Sequence, residues 1–206
     1  VGAKFLVHTN LGAPNFKVVL VDPEQPAPEN WTTLIPEMPD ALTWAATAGR
    51  QVFCGYLKDA HTVITQHRLD GTRVREVTLP ALGTAEPCHG ERADNTIFYS
   101  FSSFIFPPAI YQCNIGSGTS VLLRQAEVRF NPSDYEVKQV FFRSKDQTRI
   151  PMFLVHKKGL ARDGSHPCYL TGYGGFSISM QPGFNPSLLV LLENGCIFPE
   201  ANLRGG

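Results

Sequence analysis

No stretch of this chain stays apolar for the roughly 18–20 residues a helix needs to cross a bilayer, so no membrane span is expected. Net charge is missing as well: 18 Lys and Arg stand against 18 Asp and Glu in 206 residues. A balanced chain has neither the basic footprint of a nucleic-acid binder nor a polybasic membrane signal, so neither partner is expected. Charged residues make up only 17%, below the usual quarter. That fits surfaces that partly face other protein. The cysteines at 54, 88, 113, 168 and 196 are odd in number and show no C-x-x-C spacing, which argues against a disulfide framework or a zinc site. Reduced thiols and the lack of a leader point to the cytoplasm. The six histidines show no H-x-x-x-H spacing, and neither a metal nor another cofactor is expected.

A nucleophile is also missing. The nearest approach to the Gly-x-Ser-x-Gly elbow, Gly175-Phe176-Ser177-Ile178-Ser179, lacks the final glycine of the sharp turn that exposes the serine. Asp163-Gly164-Ser165-His166 holds triad residue types, but adjacent side chains seldom form a relay and the run reads as a turn. Asn30-Trp31-Thr32 is a formal glycosylation sequon, meaningful only in a secreted protein. The chain opens without Met in a strand-like run and stops on Gly205-Gly206, and the expectation is a piece of a longer protein.

What is present is a core. The chain is 43% hydrophobic and 11% aromatic, with 14 Phe, which excludes disorder. The first two thirds read as short β-branched and aromatic runs between turn residues, without sustained helical periodicity. Phe recurs at 5, 53 and 98, a period of about 45 residues. Each of these runs is followed by a second (16–21, 62–67, 109–113) and a third (31–35, 74–79, 120–123). Two units carry one more run ahead, at 41–45 and 84–88. Four strands per repeat of that length is the pattern of a β-propeller blade, which cannot bury both faces alone and must stack between neighbours. A β-sandwich is the alternative.

The pattern changes near residue 128. Val137–Phe142 and Ile150–Val155 read as a strand pair across Lys145-Asp146-Gln147. An apolar strand at Cys168–Leu170 precedes the turn Thr171-Gly172-Tyr173-Gly174-Gly175-Phe176. A short helix then runs from Pro186 to a closing Gly195, with Asn185 or Ser187 as cap. Cys196–Asn202 is a further strand, in which Pro199 weakens the interior or marks a bulge. Strand, turn, helix, strand is the start of an α/β sheet. Three glycines in one turn are entropically expensive for stability alone. They suggest that backbone and an aromatic hydroxyl approach something closely. In an α/β-hydrolase sheet the loop between the third strand and the first helix supplies an oxyanion-hole donor. Tyr173 would offer that hydroxyl and Phe176 an apolar wall; the other reading is a tight turn with Tyr173 packed beneath it.

Gly172-Tyr173-Gly174-Gly175-Phe176 and Asn202-Leu203-Arg204-Gly205-Gly206 resemble motifs of the prolyl oligopeptidase family of serine peptidases. Residues 144–159, Asp163-Gly164-Ser165-His166-Pro167 and Ser133-Asp134-Tyr135 resemble it too, and the propeller half fits more loosely. The resemblance implies the last blades of a β-propeller over residues 1–127 and the N-terminal part of an α/β-hydrolase domain over 128–206. It implies an endopeptidase that cleaves short proline-containing peptides after proline through a seryl ester, with a catalytic triad beyond Gly206 and a monomeric full-length protein. By motif, Tyr173 matches the oxyanion-hole tyrosine, Phe176 a wall of the proline pocket, and Ile178 a neighbouring substrate contact. Thr171, where the family often has an aromatic, and Pro199-Glu200, in place of small apolar residues, depart from the pattern. A non-catalytic propeller scaffold and an exopeptidase of the same clan remain as alternatives.

Overall fold

The computed structural model describes residues 3–161 and 163–205. Strands β1 (Phe5–Thr9), β2 (Lys17–Val21) and β3 (Thr32–Ile35) form an antiparallel sheet in that order. A second sheet follows from β4 (Ala41–Ala48), β5 (Gln51–Lys58), β6 (His61–Arg68) and β7 (Arg73–Val77). A third is built from β8 (Thr84–Ala85), β9 (Thr96–Ser102), β10 (Ala109–Asn114) and β11 (Ser120–Gln125). Each strand pairs with its sequence neighbour, as the repeated runs predicted.

Why the sheets stack is clearest on β5. Alternate residues of a strand point to opposite faces. Val52, Cys54 and Tyr56 face the first sheet and pack with Val18, Leu34, Ile35 and Leu42. Phe53 faces the other way and packs with Ile97, Tyr99 and Phe101 of the third sheet. A strand buried on both faces cannot alternate apolar with polar, which is why this run reads as continuously hydrophobic. The side chain of buried Gln66 on β6 also crosses between sheets, donating from Nε2 to the Ile115 carbonyl at 2.8 Å. Three consecutive sheets stacked face to face favour blades over a two-sheet sandwich.

A fourth sheet of different construction begins after β11. It contains β12 (Tyr135–Arg143), β13 (Arg149–Lys157), β14 (Thr171–Tyr173), helix α1 (Pro186–Glu193) and β15 (Phe198–Asn202). The strand order is β12-β13-β15-β14; β14 and β15 are parallel and the other pairs antiparallel. Helix α1 is capped as expected by Asn185, whose side chain accepts from the Ser187 N–H at 2.9 Å, and Gly195 closes it at φ +76°.

Two sequence expectations are corrected in this sheet. The strand placed at 168–170 lies at Thr171–Tyr173, inside the stretch read as turn; Cys168 contributes only an isolated bridge to Ile197. The glycine at 172 is what admits pairing there, since a β-carbon on it would stand 2.8 Å from the Ala201 carbonyl oxygen. Pro199, expected to weaken the strand or form a bulge, sits in regular register opposite Leu154. On its other side the parallel partner is interrupted between the Cys168–Ile197 bridge and the Thr171–Glu200 pair. Pro199 falls in that interruption, where no ladder needs its absent N–H.

The fourth sheet is not a free appendage. Phe104, from the third blade, stacks near Phe153 (5.5 Å between centroids) and Phe198 (5.9 Å). Leu188 and Leu192 of α1 complete this junction core. Polar ties join it: Thr84 Oγ1 donates to the Pro182 carbonyl at 2.8 Å, and the Gln139 side-chain amide donates to the Asp59 carbonyl.

Candidate functional site

The two glycine-bearing motifs, far apart in sequence, meet at the ends of the parallel strands. Tyr173 on β14 pairs with Asn202 on β15, and both chains then leave the sheet together. A β-carbon on Gly174 would stand 2.6 Å from the Leu203 carbonyl oxygen and collide with that of Arg204. The Ser177 N–H donates to the Gly205 carbonyl at 3.0 Å. Asn202 Nδ2 donates to the Met180 carbonyl at 2.6 Å. Arg204 reaches the β12–β13 turn, pairing with Asp146 and donating to Ser144 Oγ at 3.2 Å. The backbone N–H of Thr148 and that guanidinium hold the Asp146 carboxyl low, at about 2.

The glycines serve close approach rather than unusual dihedrals. None of Gly172, Gly174 or Gly175 has a positive φ; the left-handed positions belong to Phe176 (φ +54°) and Ser177 (φ +56°). The Ile178 N–H returns to the Gly175 carbonyl at 3.0 Å, closing a four-residue turn around them. A turn with two left-handed centres is normally made by Asn-Gly. Each non-glycine residue held there costs on the order of 1–3 kcal/mol, and such strain collects at functional sites.

The three sequence-predicted residues therefore share one turn but differ in setting. The Tyr173 ring folds over Gly175, whose β-carbon position lies 3.2 Å from the phenol oxygen; the side chain is partly exposed. Phe176 is 93% exposed at the tip, and Ile178 is exposed beyond it. Among the described residues, nothing walls Phe176 into a pocket. The run at 163–166 is a turn: the Ser165 N–H and hydroxyl both bond Asp163 Oδ1, at 2.9 and 2.6 Å.

Sequence reasoning missed one residue as a site. Glu200 is only 5% exposed, in the middle of β15, and its Oε1 has no hydrogen-bond partner among the described residues. Burial pushes its carboxyl up to about 7. Its signal in the sequence was an acid inside the run Ile197-Phe198-Pro199-Glu200-Ala201, noted above only as a departure.

Comparison with known proteins accords with this architecture. The prolyl oligopeptidase N-terminal β-propeller domain matches residues 1–126. The prolyl endopeptidase of Elizabethkingia miricola is 40% identical over 205 residues, covering 100% of this chain and 29% of that protein. The prolyl endopeptidase of Dictyostelium discoideum is 34% identical, covering 96% and 28%. A structure from a study of two prolyl endopeptidases superposes with a TM-score of 0.91 at 40% identity, covering all of this chain and 31% of that one. Prolyl oligopeptidase B of Galerina marginata, bound to a 25mer macrocyclization substrate, gives 0.87 at 29% identity, covering 100% and 29%. The chain thus spans under a third of the length of these relatives. With its propeller blades matched over residues 1–126 and similarity covering the whole chain, the chain belongs to the prolyl oligopeptidase family.

Proposed function

We propose that this chain is a segment of a serine endopeptidase that cleaves short peptides on the carboxyl side of proline. Residues 1–127 are its last propeller blades, and residues 128–206 open its α/β-hydrolase domain. The observation that carries this reading is the meeting of the 172–178 turn with the 202–205 loop at the carboxyl ends of two parallel strands. In open α/β sheets ligands bind at the carboxyl ends of the strands. There the Tyr173 hydroxyl donates to the oxygen of the scissile carbonyl as negative charge grows on it. One such donor is worth about 3–4 kcal/mol in the transition state. Phe176 and Ile178 face the substrate; an apolar ring suits a proline side chain, which has no N–H to satisfy. The serine, aspartate and histidine lie outside these residues. The protein acts as a monomer in a reducing compartment, which five free thiols suit.

The test is turnover of a doubly blocked proline-containing peptide by the full-length protein. Cleavage after proline that is abolished by a serine-directed phosphonate supports the reading. Refusal of blocked peptides, or resistance to the phosphonate, overturns it.

A further inference from the structure

Glu200 projects from the same face of β15 as Phe198, since the two are alternate residues of one strand. That face lies under α1 and borders a cleft of about 260 Å³. Phe104, Tyr169 and Phe198 wall the cleft, Asn185 and Ser187 stand at its rim, and Glu200 lies within it. The aromatic walls are ordered against each other: Phe198 stacks on Tyr169 at 6.0 Å and meets Phe104 edge-on at 5.9 Å. Two backbone donors at the rim are already taken. The Ser187 N–H is taken by Asn185 Oδ1 and the Leu188 N–H by the Asn185 carbonyl. Beside Glu200 in the sheet stand Phe153 on β13 and Thr171 on β14.

A buried carboxylate without a partner is costly, and its stable solutions are neutralisation or a cation. Aromatic faces attract the same cation through their quadrupoles. We propose that this cleft binds an organic ammonium group, with Glu200 as counter-ion and Phe104, Tyr169 and Phe198 as its walls. The cleft accommodates one short alkylammonium head, of the kind carried by a free amine or by a lysine side chain. Tyr173, Phe176 and Ile178 are not among the residues that line it.

Among the described residues, Tyr169 is the one titratable residue besides Glu200 that lines the cleft, and no other lining residue is charged. Binding therefore follows ionisation of Glu200 and strengthens as pH rises through about 7, the value burial imposes.

Calorimetric titration of the full-length protein with n-butylammonium, which stays protonated throughout, tests this. One saturable site is expected at pH 8, weakened at least tenfold at pH 5.5, with no saturable binding of n-butanol. Glu200→Gln removes the charge at nearly constant shape and should lose at least tenfold in affinity while melting no lower than wild type. Should that variant fail to fold, the pH series on the wild-type protein decides alone. Competition by Nα-acetyl-lysine amide assigns the site to lysine side chains; retention of butylammonium assigns it to free amines, and both uphold the proposal. Absence of saturable binding, equal binding of n-butanol, pH-independent binding, or unchanged affinity in folded Glu200→Gln would overturn it.

Discussion

Gly174 lies so close to Leu203 that a β-carbon there would stand 2.6 Å from the Leu203 carbonyl oxygen. The two segments that carry the family motifs are thus in backbone contact, with no room for any side chain between them. Gly174→Ala should force them apart, with overpacking costing about 1–3 kcal/mol. Chemical denaturation of the full-length protein would measure this. An alanine variant as stable as wild type would show that the contact is loose.

Tyr173→Phe removes one hydroxyl and leaves the ring over Gly175 in place. If Tyr173 is the proposed oxyanion donor, kcat of the full-length protein should fall by roughly 10²–10³ with KM nearly unchanged, because such a donor acts mainly in the transition state. Steady-state kinetics on a proline-containing peptide decide it, and an unchanged kcat removes Tyr173 from the mechanism.

Ser177 holds a left-handed φ of +56° that glycine adopts freely. Ser177→Gly should therefore stabilise the protein by about 0.5–1 kcal/mol, less the added entropy of the unfolded chain. The expected readout is a raised midpoint in urea. A fall in stability would mean the serine side chain contributes more than its backbone strain costs.

Glu200 makes stability depend on pH. Its folded pKa, raised by burial from 4.5 to about 7, means the native state holds a proton that the unfolded chain releases. The contribution is full below about pH 4.5 and is lost as pH rises through about 7. Glu200→Gln should flatten that slope and be the more stable protein at pH 8, by about 1–3 kcal/mol. Urea titrations at pH 5 and pH 8 on both proteins check the sign.

Phe104 joins the third blade to the fourth sheet. It is almost fully buried against Phe153 and Phe198. Phe104→Ala should cost about 3–5 kcal/mol, and hydrogen exchange should show α1 and β15 losing protection before the blades do. Uniform loss across the chain would instead mean one cooperative unit.

Much of this fold was legible because strand periodicity is local. The runs around Phe5, Phe53 and Phe98 announced a repeat, and the Asn185 cap and Gly195 bounded α1, since capping is a matter of adjacent residues. Strand β14 was misplaced because Cys168–Leu170 is the more apolar run, whereas pairing is decided by where β15 lies. Pro199 was judged by its missing N–H alone, and the gap in the neighbouring ladder that tolerates it belongs to the sheet.

The sequence by itself determined the stacking elements and the motif residues of the turn, because residue type and spacing carry that information. Only the tertiary structure decided what the glycines are for. None has a positive φ; Gly172 and Gly174 must be small because the carbonyls of Ala201, Leu203 and Arg204 press against them, a contact made when two distant strands align in parallel, while Gly175 lies against the Tyr173 ring. It also decided that Glu200, one acid among 18 acidic residues, is buried, with its Oε1 lacking a hydrogen-bond partner among the described residues. Burial is a property of the surroundings, and no local pattern encodes it.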